Sequence, residues 1–324
     1  MVFREMNRPG EVSDSQQGNP LFDFTQSMSA HAFSYLQETR EWRNHSSESK
    51  FVRLYAQTMA HSLRYLLINQ QPLLESLYEL TGGEDHNPHI LADIMGYYAF
   101  HSTAQLLGNE CPDIAASFIE EFGATSYHDP TRDAVNAFID PLDGSKNFLK
   151  YVLSKGKDGF IQASAITLTR SIDGKPIAGA IISLTDNRTV LYDEHMTEFI
   201  HIHTKHNVPF TFAMLGRHGN EQAAQFIATL PADAQYIDTF GGYQLLEMIE
   251  HKTHLMFDFK GQKMYEAFQW KTFAEKFGLF VHLPRNEDAQ LMRAFAMDPS
   301  QNSQHRVQIL IAQPNTHFAL PFAV

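Results

Sequence analysis

The chain has 324 residues, 43% hydrophobic and 19% charged, the balance of an ordinary globular protein with room for one large α/β domain or two smaller ones. A formal net charge of −12 argues against the basic stripe of a nucleic-acid-binding surface, so no nucleic-acid polymer is expected as a partner. The single cysteine, Cys111, excludes an intrachain disulfide framework, no apolar run approaches transmembrane length, and the first ten residues lack a secretory apolar core. A cytoplasmic location without membrane association is therefore expected. The 17 histidines include no His-Glu-x-x-His pair, which leaves a zinc site without support.

Residues 1 to about 20 are polar, with Pro9 and Gly10, and read as a loose arm. A mixed aromatic stretch from Leu21 to about Arg43 suggests a helix. From Phe51 to Ile68 the residues Phe51, Leu54, Tyr55, Met59, Leu63 and Leu66 recur at helical spacing and predict an amphipathic helix. A short helix is predicted over Pro72–Leu80, closed by Gly82-Gly83. A further helical stretch follows Ile90-Leu91-Ala92-Asp93 and runs to about Leu107; on residue chemistry alone, Asp93 reads as its N-cap. Ser117-Phe118-Ile119-Glu120-Glu121 then reads as a strand ending in paired acids, which are more often a solvated surface feature than a site.

The stretch that organises the chain is Phe138-Ile139-Asp140-Pro141-Leu142-Asp143-Gly144-Ser145-Lys146-Asn147-Phe148. It reads as a short strand that stops at Pro141 and delivers two carboxylates to its C-terminal end, followed by a glycine turn. Two acids three residues apart, beside free backbone amides, suit a divalent metal and a phosphate together. The string resembles the first signature of the inositol monophosphatase superfamily, Asp-Pro-(Ile/Leu)-Asp-Gly-(Ser/Thr). Glu120 precedes Asp140 by twenty residues, the spacing of that family's Glu-Glu and Asp-Pro elements. Asn87 to Asp93 is similar to its Ser-Pro-Val-Thr-x-Ala-Asp segment.

Downstream, strands are predicted over 161–168, 177–183, 189–192 and 198–203, with a turn at Asp173-Gly174-Lys175-Pro176. An apolar strand, Phe210–Leu215, leads into Gly216-Arg217-His218-Gly219; Arg217 and His218 read equally as a solvated turn or as phosphate contacts. After Gly241-Gly242 come a helix over Tyr243–His251 and a strand over Thr253–Phe259. Tyr265-Glu266-Ala267-Phe268-Gln269-Trp270 is the counterpart of the family's Trp-Asp-x-Ala-Ala-Gly. Here Glu266 replaces the aspartate, and bulky residues replace a small helix face, which is expected to narrow or reshape the pocket.

The resemblance implies an α/β (α+β) fold, a layered α/β/α/β/α sandwich of the inositol monophosphatase/fructose-1,6-bisphosphatase type. It implies an N-terminal extension (1–50), an α+β half carrying most metal ligands (51–200) and an α/β half completing the substrate site (201–324). It further implies hydrolysis of a small phosphate monoester with two or three Mg2+ ions, lithium inhibition and a homodimer. The implied ligands are Glu120, Asp140, the Leu142 carbonyl, Asp143 and Glu266. Asp93 and Ser145, with Glu120, would serve catalysis, and Gly144, Ser145, Arg217 and His218 would bind substrate. The Glu266 exchange motivates an alternative, a catalytically impaired relative acting as a binding or scaffold protein.

Overall fold

The structure, a computed structural model, describes residues 20–39, 41–69, 89–120, 122–143, 154, 157, 163–204, 208–216, 220–237 and 241–316. The N-terminal arm and the helix expected over Pro72–Leu80 lie outside the described residues. Three long helices come first: α1 (Pro20–Gln37), α2 (Ser47–Asn69) and α3 (His89–Leu107). Phe51, Leu54, Tyr55, Met59 and Leu63 of α2 are buried, and aromatic edges join the three helices: Phe22 meets Tyr98 at 5.2 Å and Phe51 meets Phe100 at 5.5 Å between ring centroids. Each such side chain contributes about 1.5–3 kcal/mol on burial, which outweighs the weak propensity of β-branched and aromatic residues for helix.

These helices cover one face of a seven-stranded sheet. Its strands are β1 (Ile114–Ile119), β2 (Gly123–Ser126), β3 (Val135–Asp143), β4 (Ala163–Arg170), β5 (Pro176–Ser183), β6 (Thr189–Tyr192) and β7 (Thr197–Ile200). The order is β2-β1-β3-β4-β5-β6-β7; β1 and β3 are parallel and the other neighbours antiparallel. β3 is buried from Val135 to Leu142, as a strand covered on both faces must be. Contrary to the sequence expectation, it does not stop at Pro141. Asp140 pairs with Ala165 and Asp143 with Ala163, so β3 carries one extra residue against β4. The proline, which has no amide to donate, sits in that bulge, where the ladder asks for none. Helix α3 packs against it so closely that a Cβ on Gly96 would stand 2.5 Å from Pro141 Cβ and Cγ.

A second sheet, ordered β12-β14-β10-β8-β9, comprises β8 (Thr211–Leu215), β9 (Gln235–Ile237), β10 (Leu255–Asp258), β12 (Phe280–His282) and β14 (Leu310–Ala312). A short ribbon pairs β11 (Gln262–Lys263) with β13 (Arg306–Val307). Among the described residues the further α-helices are α4 (Glu221–Ile227), α5 (Gly242–Ile249), α6 (Met264–Lys276) and α7 (Asn286–Met297). One cluster joins Ile181 and Tyr192 of the first sheet to Leu246 of α5, Phe273 of α6 and Met256 of the second sheet, so α5 and α6 lie between the sheets. On the outer face of the second sheet, Phe226 of α4 meets Phe257 at 5.6 Å. The layering is α/β/α/β/α. Among the described residues no helix is long and apolar enough to cross a membrane.

The bulky face of α6 packs inward. Phe268 and Trp270 are buried in the core: Phe268 meets Phe138 at 5.0 Å with the rings tilted by 59°, and Trp270 joins the cluster between the sheets. They fill the layer beneath β3, and Phe268 also lines a cavity with Gly174, Lys271 and Met292.

Candidate metal and phosphate site

β1 and β3 end side by side. Their parallel register runs to Ile119 opposite Ile139, so the next residues, Glu120 and Asp140, emerge as neighbours. The Glu120 amide donates to the Ile139 carbonyl at 3.1 Å and extends the pairing one step. The bulge then brings Asp143 to the same end of β3, and the first turn of α6 supplies Glu266.

Asp140 is 3% exposed, and its Oδ1 has no hydrogen-bond partner among the described residues. Burial, then the charges of Glu120, Asp143 and Glu266, hold its carboxyl well above the usual range. Glu266 is pushed up to about 8 by burial and by Asp143 and Glu120, although its Oε2 accepts the Lys263 amide at 3.1 Å. Asp143 accepts a hydrogen bond from the amide of Gly242, the first residue of α5. The preceding Gly241 has φ 113°, and a Cβ there would run into the Asp143 carboxylate, so glycine is required on both counts. Glu120 accepts from the Tyr265 hydroxyl, and Lys263 Nζ stands 3.7 Å from its Oε1.

The neighbouring acids thus raise the cost of ionising Asp140 and Glu266, and a hard divalent cation is the charge that relieves it. The all-oxygen donor set, and the donorless Oδ1 of Asp140, fit Mg2+ in kind. As they stand, no three His, Cys, Asp or Glu side chains among the described residues are gathered tightly enough to enclose an ion. Glu120 and Asp143 are instead held by Tyr265 and Gly242.

The structure therefore brings Glu120, Asp140, Asp143 and Glu266 into one electrostatic cluster. Leu142 is buried in the bulge, where neither it nor Pro141 has a one-to-one partner on β4. Asp93 is not an N-cap: α3 begins at His89, so Asp93 lies inside the helix, three residues before Gly96. Its side chain, and all of Gly144, Ser145, Arg217 and His218, lie outside the described residues. Sequence reasoning missed Lys263 and the Tyr265 hydroxyl as partners of Glu120. It also missed Gly242, for which a Gly-Gly pair opening a helix is a legible anion-binding signal.

No family model matches the chain, and no curated protein matches it by sequence. Solved structures do. CysQ from Bacteroides thetaiotaomicron, a bacterial member of the inositol monophosphatase family, superposes with a TM-score of 0.53 at 14% identity, covering 83% of this chain and 97% of its own. Inositol monophosphatase II from Staphylococcus aureus gives a TM-score of 0.51 at 11% identity, over 82% of this chain and 90% of its own. A Pyrococcus horikoshii protein described as similar to inositol-1 monophosphatase gives 0.51 at 14% identity, over 78% and 90%. Layer order, signature strand and these superpositions agree: the chain has the inositol monophosphatase fold.

Proposed function

We propose that the chain is a Mg2+-dependent phosphomonoesterase acting on a small phosphorylated metabolite of the inositol monophosphate or 3′-phosphoadenosine 5′-phosphate class. The observation that carries this reading is the Asp140 carboxylate, whose pKa is raised by burial and by the charges of Glu120, Asp143 and Glu266, and whose Oδ1 has no hydrogen-bond partner among the described residues. Glu120, Asp140 and the Leu142 carbonyl would hold one Mg2+; Asp140, Asp143 and Glu266 would hold a second. When bound, the ions supply the positive charge that acidifies an attacking water and offsets a phosphate dianion. The extra methylene of Glu266, relative to aspartate, is compatible with its place on the first turn of α6, where the Lys263 amide steadies it.

The chain's own groups do the rest. The amides of Gly144 and Ser145 are assigned to receive phosphate, the hydroxyl of Ser145 and the Asp93 carboxylate to orient the water, and Arg217 and His218 to contact the substrate. The alternative, a catalytically impaired binding protein, draws its support from Glu120 and Asp143 already being held by Tyr265 and Gly242. Phosphate release from inositol monophosphates, 3′-phosphoadenosine 5′-phosphate and fructose bisphosphate, with and without Mg2+, separates the two. Release that needs Mg2+ and falls with Li+ is expected. No release from any of these substrates overturns the enzyme.

A further inference from the structure

Lys263 touches two of the four carboxylates by different parts of itself. Its amide donates to Glu266 Oε2 at 3.1 Å, and its ammonium lies 3.7 Å from Glu120 Oε1. The backbone is pinned from both sides, as the N-cap of α6 and as the partner of Arg306 in the β11–β13 ribbon. Its aliphatic stem carries Nζ over the Tyr265 ring, 5.5 Å from the centroid, and the Tyr265 hydroxyl donates to the same Glu120 carboxylate. The Lys263 side chain is 36% exposed and that of Glu120 14% exposed, so the lysine is the more open to solvent of the pair.

We propose that Lys263 is a resident cation of the site, screening Glu120 against incoming Mg2+ and drawing the substrate's phosphate toward the carboxylates. This rests on the phosphatase reading above. A lysine suits the part because its ammonium is a compact charge on a flexible stem, able to face a carboxylate or a phosphate without fixed bidentate geometry. One positive charge must act with opposite sign on the two ligands: it repels a divalent cation and attracts a dianion. A residue that merely held the turn would move both affinities in the same direction or neither.

The test is a pair of calorimetric titrations on the full chain, Mg2+ alone and then inorganic phosphate into the Mg2+-saturated protein. For Lys263→Met, Mg2+ binding is expected to tighten about tenfold and phosphate binding to weaken about tenfold. Lys263→Gln, a second neutral variant, should reproduce both shifts. Lys263→Arg, which keeps the charge, should leave both near the wild-type values. Unchanged affinities in the two neutral variants, or Mg2+ and phosphate weakening together, overturn the proposal. Those outcomes leave the phosphatase reading standing if the wild type binds Mg2+. A wild type that binds no Mg2+ overturns both.

Discussion

Gln269 Nε2 donates a 2.9 Å hydrogen bond to the carbonyl oxygen of Phe138, two residues before Asp140. The glutamine is 1% exposed and stands where the related signature keeps a small residue, so the inter-sheet helix is tied to the strand that carries the acids. Gln269→Leu keeps the volume and removes the donor. It should cost about 1–2 kcal/mol in denaturant unfolding with an unchanged m-value, the price of a lost buried hydrogen bond.

Asp140→Asn should separate stability from function. A buried acid with raised protonation and no donor on Oδ1 among the described residues destabilises the metal-free fold at neutral pH. In EDTA the variant should melt about 2 °C or more above wild type. The upward shift in Tm that Mg2+ gives the wild type should be absent, along with all Mg2+-dependent phosphate release. A variant that melts well below wild type in EDTA would assign Asp140 a structural role.

Tyr265→Phe removes a single oxygen while retaining the ring that packs on Phe118 at 5.2 Å. Its hydrogen bond is made to a carboxylate, so the metal-free protein should lose about 1–3 kcal/mol. Release of Glu120 should at the same time strengthen Mg2+ binding, seen as a larger Mg2+-induced rise in Tm than in wild type. Loss of stability with no change in that rise would leave the hydroxyl as packing alone.

The pH dependence of stability has a contributor outside the carboxylate cluster. His101 of α3 is buried, with Tyr97 at 4.5 Å and Phe100 at 5.1 Å, and burial pushes its imidazole down to about 3. The unfolded chain protonates it near its ordinary value of 6.5 and the folded chain does not. Below about pH 6.5 the unfolded state therefore binds the extra proton, and stability falls as pH drops toward 3. Between pH 6 and 4.5 this one group should remove roughly 2 kcal/mol. His101→Gln should flatten that part of the profile relative to wild type; equal slopes in the two proteins would remove the assignment.

Much of the sheet was legible because its strands carry two-residue or continuous apolar patterns: β6 runs over Thr189–Tyr192 as expected, and β3 delivers its acids to one end. The continuation of β3 through Pro141 was not legible, since a bulge depends on what the neighbouring strand can leave unpaired. Nor was the segment after Gly278, where β12 and β14 have three residues each, too few to show a period, and α7 carries no signature. At the site, Glu120 was legible only through the family's Glu-Glu to Asp-Pro spacing, and the parallel pairing of β1 and β3 supplies the physical reason that spacing brings it beside Asp140. The grip of Tyr265 and Lys263 on Glu120 spans the whole fold and leaves no local pattern. Gln269 looked like an obstruction because a sequence does not say which side of a helix meets the core.

Tyr265 meets Glu120 across 145 residues of chain, and Asp143 meets Gly242 across 99. Neither contact can form until α5 and α6 have docked against the strands that carry the acids. A cation held by these acids would bind only the finished fold and favour it by mass action. Mg2+ would thus act as an inspector of assembly as well as a cofactor: a chain whose second sheet has docked out of place keeps only the weak attraction of scattered carboxylates. It would remain in the population that chaperones and proteases clear.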